Sequence, residues 1–326
     1  MAVSRQPPCA ELPFARLKIA KAGKLVYDQT INGPLGTITE DSLYRYYSQT
    51  KIIATVMTLL AAERGLLRLD DPVEMYIPEF QNPQRYVSGT IEANDIVTED
   101  ADSLPTIRQC LMHTAGLVYG GLFAGNGIID EVDKIHMCAD LGVADLIHEG
   151  GLATTFGSLE KVAARIGTMP LRHHPGTLWD YANGHIVAVR CAEVAMGRTA
   201  TEIMQTEIFD PLGMETAGWG VKASDPNLLP MFEYGTVEIT PGKPWTLFQR
   251  DPVPATQLNL TNKDVVAELK QCVLPDAQGT GRADDWWRLF ACLMESGRSP
   301  HTGYQLLSPR TVELMMTSQL PGEMPS

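Results

Sequence analysis

Ser48 and Lys51 stand three residues apart at the head of a long apolar run. On a helix that spacing puts both side chains on one face, where the amine could take the hydroxyl proton and leave a nucleophilic oxygen. The plainer reading is a serine that caps the helix and a lysine solvated in its first turn. The residues that follow separate the two. Ile52, Ile53, Val56, Met57, Leu59, Leu60 and Ala61 cover most of a cylinder before Gly65 ends it, which is the pattern of a buried helix. A lysine at its start loses hydration unless something uses it, and dehydration favours the neutral, proton-accepting form of an amine. The helix start also directs backbone N–H groups towards the serine, as an oxyanion requires.

The same letters recur at Ser158 and Lys161, ahead of "LEKVAARIG". There a helix N-cap accounts for the serine completely. Tyr181 and Asn183 lie two apart in the loop after "HHPGTLWD" and can both turn inward. A tyrosine there could shuttle a proton between nucleophile and leaving group, and an asparagine could hold the lysine or a substrate carbonyl. The competing reading of Tyr181 is a packed aromatic. His173 and His174 precede Pro175 and read as surface or pocket rim. No His, Asp or Glu spacing suggests a metal, and no pattern asks for a cofactor. The chain has no Gly-x-Ser-x-Gly elbow to anchor a Ser-His-Asp triad.

The elements that must position these residues can be read in outline. Residues 14 to 31 alternate apolar and polar around a Gly-Lys turn and predict a β-hairpin. The helix from Ser48 to about Glu63 is followed by a turn-rich, proline-closed connection. Residues 83 to 103 read as an irregular surface excursion. A short helix follows at "TIRQCLMHTAG", stopped by Gly116. Helical stretches near 129 to 150 and from Ser158 to Ile166 precede the loop at Tyr181. Further helices are predicted at "HIVAVRCAEVAMG", at 201 to 209, at "DDWWRLFACLMESG" and at "SPRTVELMMTSQL". Residues 220 to 262 carry short extended pieces among prolines and glycines.

Taken in order, "YYSQTKIIATVMTLLAAERGLLRLDDPVEMYIPEF", "TIRQCLMHTAGL", "PLRHHPGTLWDYAN" and "IFDPLGMETAGW" resemble the serine β-lactamase-like superfamily. It includes class C β-lactamases, DD-peptidases and family VIII carboxylesterases. The resemblance runs from about residue 14 to 320. It implies an α/β plus all-α, transpeptidase-like fold, an antiparallel sheet flanked by helices with a helical domain beside it. Residues 1–47 and 251–326 would build the α/β part, and residues 48–250 the mainly helical part carrying Ser48 and Tyr181. It implies Ser48 as the acylated nucleophile, Lys51 as its proton acceptor, Tyr181 as general acid and base, and Asn183 in a positioning role. His113, in "MHTAGL", matches a structural loop of the family.

Tyr47 is bulkier than the small residue often found before this serine, which would crowd the pocket entrance. The family's third motif, Lys or His-Thr-Gly or Trp-Gly-Gly, lines the opposite wall on a strand. His301-Thr302-Gly303 matches in letters, but a loop and a helix follow it, so the match reads as chance. In the family the motif comes after that helix. The expectation is therefore a shortened member, weakly active or inactive alone, that self-associates or depends on a partner.

The bulk properties bound the rest. The 326 residues suffice for roughly two domains at about 150 residues each. At 44% hydrophobic and 20% charged, the composition is that of an ordinary globular protein. A net charge of −13 argues against a nucleic-acid partner, because no basic face would displace counterions. No apolar run is long enough for a membrane span, and the start has no secretory core. Six cysteines without a CxxC pair read as free thiols in a reducing cytoplasm. The resemblance implies a small ester or other acyl compound as the substrate, with an esterase expected first, an acyltransferase on the same residues second, and a non-catalytic binding or scaffold protein third.

Overall fold

The computed structural model describes residues 14–21, 24–32, 37–90, 95–118, 128–129, 132, 158–219, 225–229, 232–233, 253–254, 279–320 and 322. In chain order the strands are β1 (Phe14–Lys21), β2 (Lys24–Asn32), β3 (Leu43–Arg45), β4 (Gln84–Ser88), β5 (Val97–Asp100), β6 (Gly218–Trp219), β7 (Phe232–Glu233), β8 (Val253–Pro254) and β9 (Gly279–Arg282). The helices are α1 (Thr50–Glu63), α2 (Ile107–Leu111), α3 (Leu159–Gly167), α4 (Gly184–Met196), α5 (Ala200–Met204), α6 (Asp210–Leu212), α7 (Ala283–Met294) and α8 (Pro309–Met316). The architecture is mixed α/β, with antiparallel sheets and helices packed beside them.

β1 and β2 pair as the predicted hairpin, Ile19 opposite Tyr27. Its polar face is the one turned towards the protein: Arg16 and Lys18 both reach Asp28 on β2 and Asp284 on α7. Leu17, Ile19, Tyr27 and Ile31 are exposed. A cavity of about 480 Å³ lies between this hairpin, β3 and α7, lined in part by Tyr44, Trp286 and Phe290.

β9 is the centre of a three-stranded antiparallel sheet in the order β3-β9-β6. Arg45 faces Thr280 on one side of it and Gly218 faces Thr280 on the other. From β3 the chain passes through a single 3-10 turn, Tyr47–Gln49, into α1. Ile53, Val56 and Met57 of α1 are fully buried, as are Ile186, Val187 and Val189 of α4, the helix packed against it. Each such side chain contributes about 1.5–3 kcal/mol through burial. The pairing of α1 with α4 sets the site, because the Ser48 turn enters α1 and the Tyr181 loop enters α4. A Cβ at Gly184, the first residue of α4, would stand 2.1 Å from the Cys110 carbonyl oxygen, so only glycine permits this crossing of α2.

Three expectations need correction. The excursion at 83 to 103 contains the antiparallel pair β4 and β5, with Tyr86 opposite Thr98. Its side chains are mostly polar and exposed, so hydrophobic alternation could not reveal it. The helix at 107 closes at Leu111 rather than at Gly116, because His113 turns the chain out with φ 59. The helix at 201 to 209 begins at Ala200 and continues through a π turn, Gln205–Phe209, into α6. The predicted helices near 129 to 150 and the extended pieces at 220 to 262 lie largely outside the described residues.

Candidate active site

Ser48 sits in the 3-10 turn, exposed, between two residues tied to one glycine of β9. The Tyr46 N–H donates to the Gly279 carbonyl at 2.8 Å, and the Gly279 N–H donates to Thr50 Oγ1 at 3.1 Å. The Tyr46 hydroxyl donates in turn to the Arg282 carbonyl. Tyr47 takes the left-handed conformation, φ 46, which is uncommon for an aromatic residue. Tyr47 is 45% exposed beside Ser48, and burial of the remainder raises its phenol above the ordinary value.

Lys51, in the first turn of α1, is only 6% exposed. Its Nζ lies 4.8 Å from the centre of the Tyr181 ring. The Tyr181 hydroxyl donates to Ser48 Oγ at 2.8 Å. Ser48, Lys51 and Tyr181 therefore converge, within hydrogen-bond or ring-contact reach of one another through Tyr181. Such an arrangement can move a proton between a serine oxygen, a phenol and a bound substrate. Asn183 is buried at the N-cap of α4, where its side chain makes no capping bond.

The other candidates separate from this group. Ser158 Oγ accepts the Lys161 N–H at 3.2 Å and caps α3. His301-Thr302-Gly303 forms an exposed turn whose first two N–H groups donate to Ser299 Oγ. His174 lies at the surface between Glu99 and Asp102. His173 is a correction: it is buried, because Leu171 and Arg172 are drawn under by backbone bonds to β4 and to Gly116.

Sequence reasoning read His113 as structural and did not single out His185. His113 stacks on Tyr181 with ring centres 4.5 Å apart, and the His185 ring centre lies 5.0 Å from that of His113. Burial, then the Lys51 charge, holds His113 down at about 4. Burial holds His185 well below its ordinary value, with His113 and Lys51 adding to the effect. No spacing rule could have found this, since 113, 181 and 185 meet only through the fold. Thr50 and Gly279 were missed for the same reason.

The family model described as Beta-lactamase matches residues 10–319, and the chain belongs to that family. Among curated relatives, it is 28% identical over 208 residues to Esterase EstB of Burkholderia gladioli, covering 62% of this chain and 45% of that protein. It is 28% identical over 180 residues to the ML-236A carboxylate methylbutanoyltransferase mlcH of Penicillium citrinum, covering 53% and 37%. The chain thus spans less than half the length of these relatives. Unliganded simvastatin synthase (LovD) from Aspergillus terreus superposes with a TM-score of 0.68 at 18% identity, covering 97% of this chain and 70% of that one. That likeness establishes the β-lactamase/transpeptidase fold. No helix among the described residues is long and apolar enough to cross a membrane.

Proposed function

We propose that this chain is a serine acyl-transfer enzyme that hydrolyses small carboxylic esters through an acyl-enzyme on Ser48. The observation that carries the reading is the hydrogen bond from Tyr181 to Ser48, with buried Lys51 against the same ring. In the first step Ser48 Oγ attacks the ester carbonyl while its proton passes to Lys51. The backbone N–H of Ser48 is one donor to the developing oxyanion in this reading. The C–O bond to the alcohol then breaks, and Tyr181 protonates the departing oxygen. Water attacks the acyl-enzyme by the reverse proton path, releasing acid and regenerating Ser48. Asn183 positions the substrate or the lysine.

The name of the mlcH relative favours a second reading, in which an alcohol or amine replaces water as acceptor. The residues and the first step are unchanged. Product analysis on a short-chain aryl ester, with and without added alcohol, separates the two. Free acid alone identifies a hydrolase, and a new ester identifies a transferase. Ser48→Ala should abolish both products, and turnover in that variant at the wild-type rate would refute the assignment.

A further inference from the structure

His113 touches the Tyr181 segment in three ways. Its carbonyl oxygen accepts the Asp180 N–H at 2.8 Å, and its ring Nδ1 accepts the Ala182 N–H at 3.1 Å. The two residues flanking Tyr181 therefore each place a backbone N–H on His113. The imidazole then stacks on the Tyr181 ring itself at 4.5 Å, tilted by 32°. Trp179 meets the same imidazole edge-on at 6.0 Å, and the His185 ring lies against it at 5.0 Å. Arg172 pairs with the carboxylate of Asp180, the residue before Tyr181.

We infer that His113 is the positioning residue for Tyr181: its neutral Nε2–H tautomer, clamped to the N–H on each side of the tyrosine, aims the phenol at Ser48. An acceptor at Nδ1 is required, because a proton there would face the Ala182 N–H with a second donor. The left-handed backbone at His113 delivers carbonyl and ring to the same loop at once, a conformation more accessible to His and Asn than to most residues. The inference rests on the proposed roles of Ser48 and Tyr181 and adds the residue that holds them in register.

The experiment measures covalent labelling of Ser48 by a fluorophosphonate, resolved into maximal rate and half-saturating concentration. His113→Ala should lower the maximal rate about 10²-fold, the order expected when a reacting group is misplaced by about 1 Å, and leave half-saturation near the wild-type value. His113→Asn tolerates the backbone and offers an amide oxygen to Ala182, so it should recover most of the loss. In a Tyr181→Phe background, His113→Ala should remove little more, since no hydroxyl remains to aim. A wild-type rate in His113→Ala, or a full multiplicative loss on top of Tyr181→Phe, overturns the inference. If the wild-type chain takes no label at Ser48, the proposed function fails instead. The nuclear Overhauser contact between the Tyr181 ring and the Ser48 Cβ protons then decides. Present in wild type and His113→Asn and lost in His113→Ala, it supports the positioning role; retained in His113→Ala, it overturns it.

Discussion

Tyr181 and Ser48, 133 residues apart in sequence, share a hydrogen bond of 2.8 Å. Two helices hold them together: α1, which the Ser48 turn enters, and α4, which the Tyr181 loop enters. The burial of one helix on the other is therefore what aligns the two hydroxyls.

Lys51→Ala and Tyr181→Phe should each lower the acylation rate on the order of 10²–10⁴-fold, the usual worth of a positioned acid or base. On the proposed path both serve the Ser48 oxygen, so the double variant should lose less than the product of the two. Single-turnover rates on an aryl ester measure this, and strict additivity would place the residues in separate roles.

Gly184→Ala tests the crossing of α4 over α2. The added methyl would meet the Cys110 carbonyl oxygen at 2.1 Å, and backbone cannot move aside as a flexible side chain could. The destabilisation should be roughly 1–3 kcal/mol, as for other overpacked sites. A denaturant midpoint unchanged from wild type would show that α4 relaxes freely.

Acid should destabilise this protein through His113. The unfolded imidazole binds its proton near pH 6.5, while the folded one, buried beside Lys51, does so only at about 4. Between these values the unfolded state holds the extra proton. Stability is therefore full above pH 6.5, falls as the pH drops towards 4, and changes no further below it on this account. The gap corresponds to about 3 kcal/mol, with His185 acting in the same direction. Denaturant midpoints across pH 7 to 4 should fall steeply in wild type and less steeply in His113→Asn. Equal slopes in both would remove His113 from the account.

Much of this organisation is legible in the sequence where local periodicity carries it. The alternation in residues 14 to 31 predicts the β1–β2 hairpin, and the all-round apolar pattern after Ser48 predicts that Lys51 is buried. The context of Ser158 predicts its cap on α3. Alternation alone does not say which hairpin face turns inward; the ion pairs to Asp284 decide that, and they come from α7, near the other end of the described residues. Polarity on both sides of β4 and β5 erases the strand signal. The contacts of His113 with Tyr181 and of Gly279 with Thr50 are products of tertiary packing, with no local pattern to announce them.

Ser48, the proposed nucleophile, is set apart from the other Ser-x-x-Lys serine by its buried lysine and its bond to Tyr181. Intact mass after exposure to a fluorophosphonate, followed by peptide mapping, tests that assignment most directly. One adduct on Ser48, absent in Ser48→Ala and retained in Ser158→Ala, is the predicted result. An adduct on Ser158, or labelling that survives Ser48→Ala unchanged, would contradict it.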